Sequence, residues 1–228
     1  MSFTLDQVVP WGRSFEEYVA MFALTPDDLS RRIVGCGDGP AAFNAVATSK
    51  GVSVVSVDPI YAFSTAQIRQ RIDETYAVVM AETKRNQNEF VWRQIKSPDE
   101  LGRLRRQAMS EFLADRDAGA VARRYVPGEL PSLPFADRVF DLALCSHFLF
   151  LYSQHYDLEF HIKSVAELCR IAEEVRVFPL NELGAHPSRH LDKVLAHCRA
   201  AGMNPEIVPV DYEFQKGANQ LLRLRTMQ

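Results

Sequence analysis

Cysteine is scarce in this sequence, and no two cysteines lie close together. The chain of 228 residues contains four, Cys36, Cys145, Cys169 and Cys198, and none of them is part of a CxxC pair. This spacing favours neither a disulfide framework nor a zinc knuckle. We therefore expect reduced thiols, no bound metal and a cytoplasmic location.

Long hydrophobic runs and an excess of positive charge are also missing. The longest uncharged stretch, Leu142 to Tyr156, contains polar residues and falls short of the roughly 18 apolar residues that span a bilayer. The N-terminus has no basic segment leading into an apolar run, so we expect neither a secretory signal nor membrane insertion. A formal net charge of −3 gives no broad attraction for phosphate backbones, so nucleic acid is not an expected partner. The oligomeric state is not indicated.

What the sequence does contain is a regular alternation of strand and helix patterns. The alternation predicts a doubly wound α/β fold with a mostly parallel seven-stranded sheet, in a single domain over residues 1–228. The predicted strands are Arg32–Val34, Val52–Val57, Val139–Cys145, Glu174–Phe178, Glu206–Phe214 and Gln220–Thr226, of which the last two form an antiparallel C-terminal hairpin. The predicted helices begin at the Ser14–Glu17 capping box and at Ala41, Phe160 and Pro187.

Residues 64–119 are a long helical insertion between two of these strands. Apolar stripes at helical spacing run through it, and we expect a helical cap above the edge of the sheet. Its basic residues, among them Arg105, alternate with acidic ones, which is typical of a solvated helix face. Phe90, Val91 and Trp92 fit either core packing or the lining of a pocket for an apolar ligand.

A glycine run follows the first predicted strand. Gly35, Gly37 and Gly39 have no side chains where the chain must turn, and they let backbone N–H groups approach a ligand at a helix N-terminus. Ligands of open parallel sheets bind beyond the carboxyl ends of the strands, so this position is informative. A plain glycine turn between strand and helix explains the same residues.

An acidic residue ends the next predicted strand. Asp58 lies about 20 residues beyond the glycines, where a carboxylate can accept hydrogen bonds from both hydroxyls of a ribose. The pair of features suggests a cofactor that contains adenosine. A simple turn at Asp58-Pro59 is the structural alternative.

A third motif stands before the strand at Val139–Cys145. The sequence reads LPFAD over residues 133–137 and FDL over residues 140–142. The order of GxGxG, an acidic strand end and LPFAD-xx-FDL closely resembles the class I S-adenosylmethionine-dependent methyltransferases. This resemblance covers at least Ile33 to Phe178.

The resemblance implies S-adenosyl-L-methionine as the cofactor and a methyl acceptor, which we expect to be a small molecule. In that family the glycine loop embraces the amino-acid part of the cofactor, the acid after the second strand binds the ribose, and the segment before LPF frames the adenine. Arg13 and Tyr18 are placed to reach the cofactor carboxylate, although Tyr18 fits a packing role equally well. The residues implied in cofactor binding are Arg13, Tyr18, Gly35, Cys36, Gly37, Asp38, Gly39, Asp58, Pro59, Glu129, Leu130 and Ser146.

One position departs from the family pattern. The family usually has an acidic residue two positions before the first motif glycine, and that position is Ile33, or Gly35 in an alternative frame. Asp38, within the loop, is the candidate to take over as acceptor for the ammonium group of the cofactor.

Histidines supply the remaining candidates for chemistry. His147, directly after the predicted fourth strand, is placed to receive a proton from the acceptor, but a hydrogen-bonded packing role is also open. His186 and His190 are four residues apart, yet no glutamate completes an HExxH motif, so helix capping is preferred to metal binding. Two other functions stay open: a non-catalytic S-adenosylmethionine-binding protein and a nicotinamide-dependent oxidoreductase.

Overall fold

The computed structural model describes residues 8–225 of the chain. The first seven residues, which belong to the segment where no secretory signal is expected, and Thr226, the predicted end of the last strand, lie outside this range. Within it, no helix is both long enough and apolar enough to cross a membrane.

Seven strands form one twisted sheet, and two further short strands form a separate ribbon. The strands described are β1 (Ile33–Cys36), β2 (Val54–Val57), β3 (Tyr125–Val126), β4 (Phe140–Ser146), β5 (Ala172–Phe178), β6 (Asn181–Glu182), β7 (His186–Pro187), β8 (Glu206–Pro209) and β9 (Gln220–Arg225). The order in the sheet is β3-β2-β1-β4-β5-β9-β8, and β6 pairs with β7. Strands β1 to β5 are parallel, whereas β9 runs antiparallel to both β5 and β8. The predicted α/β fold with an antiparallel terminal hairpin is confirmed.

Helices cover both faces of the sheet. They are α1 (Phe15–Met21), α2 (Phe43–Ser49), α3 (Thr65–Arg85), α4 (Pro98–Val121), α5 (Leu158–Ile171) and α6 (Leu191–Ala200). The predicted capping box opens α1, because Ser14 Oγ accepts from the Glu17 backbone and the Glu17 side chain accepts from the Ser14 backbone. Helices α3 and α4 pack on each other and fill the segment predicted as a cap.

The core has one apolar layer on each side of the sheet. Val165 and Leu168 of α5 and Val194 of α6 pack against β4 and β5 on one face. Tyr18 of α1 and Phe43 of α2 pack on the opposite face. Each large side chain buried in this way contributes about 1.5–3 kcal/mol to the stability of the fold, relative to exposure. The two layers therefore stabilise the sheet on both faces.

Four sequence predictions of local structure were wrong. The strand predicted over Glu206–Phe214 ends at Pro209. The sheet includes β3, which no predicted strand covered, because two residues are too short to show a periodic pattern. Helix α6 begins at Leu191 and not at Pro187, because Pro187 pairs with Asn181 in the β6–β7 ribbon. The glycine turn begins later than expected, because Gly35 and Cys36 are the last two residues of β1.

Candidate functional site

A cavity of about 700 Å³ lies above the carboxyl ends of β2, β1, β4 and β5. This is where ligands of open α/β sheets bind, and the volume is within the range of small-molecule pockets. We call the part above β1 and β2, which Asp38 and Asp58 line, the β2 end. The part above β4 and β5, which His147 and Phe178 line, is the β5 end.

The glycine loop forms the floor of the β2 end. Gly37 and Gly39 have positive φ angles of 68° and 53°, which side chains rarely tolerate. Gly35 has a different role: a Cβ atom there would lie 1.9 Å from Oδ2 of Asp38. The missing side chain at Gly35 therefore makes room for the carboxyl group of Asp38 to fold back over the end of β1.

Asp38 is buried and held by two hydroxyl groups. Tyr18 Oη donates to Oδ1 over 2.8 Å, and Ser56 Oγ donates to Oδ2 over 2.6 Å. Burial raises the pKa of Asp38 to about 7, and the nearby charge of Asp58 acts in the same direction. Tyr18 thus both packs in the core and contacts the glycine loop through Asp38.

Asp58 directly connects β2 with the glycine loop. Its Oδ2 accepts from the Gly39 backbone N–H over 2.9 Å, and its Oδ1 accepts from the Ile60 N–H over the same distance. The second bond caps a short 3₁₀ turn that opens with Pro59, so the predicted turn is present as well. Burial raises the pKa of Asp58 to about 6. A carboxylate oxygen has more than one lone pair, so both oxygens can accept further hydrogen bonds from a ligand.

The outer wall of the β2 end comes from the segment before β4 and from aromatic residues after it. Glu129 and Leu130 line the cavity as the sequence pattern placed them, Glu129 exposed and Leu130 buried. Tyr156 and Phe160, which are not among the site residues predicted from the sequence, also line it and stack with ring centroids 4.2 Å apart. The signal was available, because aromatic residues recur every four positions from 148 to 160.

His147 follows β4 at the boundary between the two ends. Its φ of 49° is unusual for a residue with a side chain, and its backbone N–H donates to Phe178 O over 2.7 Å. Its Nδ1 lies 3.2 Å from Oγ of Ser146, which also lines the cavity. Burial, followed by the charges of Arg13 and Arg105, holds the pKa of His147 well below its usual range. The imidazole is therefore neutral at physiological pH.

A charge cluster lies next to the wall of the β5 end, where Tyr212 lines the cavity. Arg105 of α4 is 1% exposed and binds both carboxylate oxygens of Glu17, with Nη2 2.7 Å from Oε1. Tyr212 Oη donates to the same carboxylate over 2.8 Å. Burial alone would raise the pKa of Glu17, but the charge and hydrogen bonds of Arg105 lower it to about 2. The predicted solvated helix face is thus wrong at Arg105, because Arg105 forms a buried ion pair with a carboxylate that is far away in sequence.

Arg13 lines the cavity beside this cluster. Its Nη1 donates to the Trp11 carbonyl over 3.2 Å, and its Nε is buried without a hydrogen-bond partner. Among residues 8–225, no carboxylate lies within ion-pair distance of its guanidinium group. Since buried charges are normally paired, Arg13 is a candidate to bind an anionic group of a ligand.

The other candidates lie away from the cavity or have structural roles. His186 is exposed in β7, and His190 is the N-cap of α6 with its ring 4.7 Å from that of His161, so the two are not on one helix face. Cys36 lines the cavity floor beside Cys145, its register partner on β4, and both are buried. Across the described part of the chain, no three histidine, cysteine or acidic side chains come together as a possible metal site.

Comparison with solved structures finds methyltransferases. Magnesium protoporphyrin IX methyltransferase (ChlM) from Synechocystis PCC 6803, with bound SAM, is 12% identical, with a TM-score of 0.49 over 93% of this chain and 78% of that one. A TehB-like SAM-dependent methyltransferase from Corynebacterium glutamicum is 14% identical, with a TM-score of 0.48 over 93% of this chain and 87% of that one. No protein-family model matches the chain.

A relative is found by sequence. The uncharacterized protein MJ0045 of Methanocaldococcus jannaschii is 33% identical over 222 residues, which are 97% of this chain and 97% of that protein. Similarity at this level along the whole length of both chains shows common membership, and the chain belongs to the same protein family as MJ0045.

Proposed function

We propose that the protein is an S-adenosylmethionine-dependent methyltransferase that acts on a small-molecule acceptor. The observation that carries the proposal is the hydrogen bond from the Gly39 N–H to the Asp58 carboxylate at the carboxyl edge of the sheet. It joins the two features from which the cofactor was predicted, a glycine loop and an acid that can bind ribose hydroxyls.

The charges of the cavity match the charges of the cofactor. We assign the ribose to Asp58 and the ammonium group to Asp38, whose carboxyl group lies against Gly35, near where the family has its usual acid. We assign the cofactor carboxylate to Arg13, whose charge is otherwise unpaired in the described chain. The adenine then lies between Pro59 and Leu130, which both line the β2 end.

The acceptor takes the β5 end in this arrangement. Bound S-adenosylmethionine would supply an electrophilic methyl group, so the protein mainly has to align the two reactants. The neutral imidazole of His147, between the two ends, is placed to take up a proton from the acceptor. Helices α3 and α4, which pack on one another, serve as the cap that encloses the acceptor.

The two alternative functions are less well supported. Dinucleotide-binding oxidoreductases commonly have the strand order 3-2-1-4-5-6 in a parallel sheet, whereas here the antiparallel β9 lies between β5 and β8. A binding protein without catalytic activity was suggested by the missing acid at Ile33 and Gly35. The Asp38 carboxyl group, which lies against Gly35, supports the catalytic interpretation because it can take the place of that acid.

Calorimetric titration with S-adenosylhomocysteine tests the proposal. Mass spectrometry of the purified protein first establishes that no cofactor has copurified. We expect a dissociation constant in the micromolar range, about −8 kcal/mol, and no heat with NAD⁺ under the same conditions. If a folded, cofactor-free sample gives no heat with S-adenosylhomocysteine, the proposal is wrong.

A further inference from the structure

We propose that the methyl acceptor is an uncharged, mainly apolar ring compound whose nucleophile is a hydroxyl group. The inference rests on the proposed function and concerns the β5 end of the same cavity. It follows from the apolar walls there, from the way its charges and polar groups are already satisfied, and from its closure at the far side.

The walls of the β5 end are apolar and buried. Val79, Leu101, Leu183 and Phe178 line it, and none of them is more than 7% exposed. They come from α3, α4, the chain after β6 and the end of β5, so the apolar surface surrounds the ligand space on several sides. Such a surface binds a flat or branched apolar body, because binding removes apolar area on both sides from water.

The charge cluster next to the wall of the β5 end is satisfied within the protein. Glu17 and Arg105 neutralise each other through two hydrogen bonds, and Tyr212 completes the carboxylate. Arg13 is assigned to the carboxylate of the cofactor. Arg71 of α3, which also lines the cavity, is exposed and lies 3.6 Å from the Glu74 carboxylate. A charged acceptor would therefore lose its hydration here without gaining an opposite charge, which is costly in an apolar site.

The polar groups of the β5 end are also largely occupied within the protein. Thr83 Oγ1 donates to Val79 O over 2.8 Å, and Gln215 Nε2 donates to Glu182 O over 3.0 Å. The Tyr152 hydroxyl accepts from the Val9 N–H over 3.5 Å. A methyl acceptor with many polar groups would find few hydrogen-bond partners here. A methyl acceptor with a single polar group can place that group at His147, at the boundary between the two ends.

His147 fits a hydroxyl nucleophile. With its hydrogen on Nδ1, next to Ser146 Oγ, the ring presents the lone pair of Nε2 to a ligand. The hydroxyl oxygen of the acceptor forms a bond to the transferred methyl carbon while the carbon–sulfur bond breaks and its electron pair stays on sulfur. The hydroxyl proton passes to Nε2 of His147, so the products are a methyl ether, a neutral thioether and a protonated imidazole. Because the pKa of His147 is low, the ring is neutral before the reaction and Nε2 has a free lone pair for this proton, which the ring then releases readily to water.

The far side of the β5 end is closed by two connected segments. Val91 N donates to Phe214 O over 2.7 Å and Lys216 N donates to Glu89 O over 2.9 Å, so the connection between α3 and α4 is bound to the chain before β9. The rings of Phe90 and Phe214 stack beneath this bridge with centroids 4.8 Å apart, and both line the cavity. A closed end of this kind admits a small molecule and excludes a polymer. The prediction that Phe90 is part of a pocket lining is consistent with this position.

Naphthol and naphthoate, substituted at the same ring position, test the inference because they differ mainly in charge at neutral pH. The protein is first saturated with S-adenosylhomocysteine, and each probe is then titrated in. We expect naphthol to bind at least tenfold more tightly than naphthoate, and to yield the methyl ether when S-adenosylmethionine replaces the product. Tighter or equal binding of naphthoate would overturn the inference, as would a loaded protein that binds neither probe. Failure of the proposed function is a different result, because then the first titration gives no heat.

Leu183→Lys tests the location of the acceptor. A cation in the wall of the β5 end should raise the affinity for naphthoate at least tenfold and leave the affinity for S-adenosylhomocysteine unchanged. Val78→Lys is the matched control, because Val78 neighbours Val79 on α3 but is 58% exposed. If Leu183→Lys does not fold, Phe214→Lys introduces the same charge at a half-buried position of the closing bridge. An unchanged affinity for naphthoate in a folded variant would overturn the placement.

Discussion

Carboxyl groups lie in the β2 end of the cavity and next to the wall of the β5 end, and the surroundings shift the pKa of these groups in opposite directions. At the β2 end Asp38 and Asp58 accept bonds only from hydroxyl and backbone N–H groups, and burial raises their pKa values to about 7 and about 6. At the β5 end Glu17 is bound by Arg105, and its pKa falls to about 2. The Glu17 carboxylate thus has a cationic partner within the protein, whereas the carboxyl groups of Asp38 and Asp58 have none among their hydrogen-bond donors. The β2 end is suited to a positively charged ligand, whereas next to the β5 end the carboxylate already has its cation.

Removing the charge of Glu17 should have the largest effect on stability. Glu17→Gln keeps a side chain that can complete the capping box with Ser14, but it leaves the guanidinium group of Arg105 buried without a carboxylate. Breaking a buried pair in this way costs about 3–5 kcal/mol, and urea denaturation should show this loss in the free energy of unfolding.

A double variant provides the control for that measurement. Replacing Glu17 and Arg105 together by methionine removes both charges, and this should recover most of the lost stability because apolar side chains of similar volume often replace a buried pair without cost. Wild-type stability in the single variant would show that the β5 end does not depend on internal neutralisation.

Removing the charge of Asp58 should have the next largest effect, and it should change ligand affinity. Asp58→Asn keeps a side chain suited to cap the turn at Ile60, but it replaces a charged acceptor of ribose hydroxyls by a neutral amide. Hydrogen bonds to charged groups contribute about 1.5–3 kcal/mol, so we expect the affinity for S-adenosylhomocysteine to fall about tenfold to a hundredfold in calorimetry. Asp99→Asn, on an exposed side chain, should leave it unchanged. Unchanged affinity in Asp58→Asn would exclude Asp58 from the site.

The β2 end could be predicted from the sequence better than the β5 end, for a physical reason. Gly35, Gly37, Gly39 and Asp58 directly end or follow strands, and parallel strands bring such positions to one edge of the sheet. Local pattern therefore determines their position in space.

The charge cluster of the β5 end depends on contacts between distant segments. Arg105 lies 88 residues from Glu17 in the chain, and among alternating charges it has the pattern of a surface residue. Pro187 failed as a helix start for a similar reason, because the pairing of β6 with β7 decides its conformation. No local pattern records either contact, so both required the structure.

The pH dependence of cofactor binding should show the smallest effect. Because the pKa of each carboxyl group is raised in the folded protein, its protonated form stabilises the free protein. This contribution is fully present below the unfolded pKa of 3.8, and it is lost as the pH rises through about 6 for Asp58 and about 7 for Asp38. A ligand with an ammonium group binds the ionised form. Its affinity should therefore rise severalfold between about pH 6 and pH 7.5, at most about tenfold per pH unit for each group, and binding should release protons. Calorimetry in buffers of different ionisation enthalpy measures this release. Asp38→Asn keeps the partners Tyr18 and Ser56 but cannot ionise, so it should flatten the profile; an equally steep profile in that variant would mean that Asp38 does not contact the ammonium group.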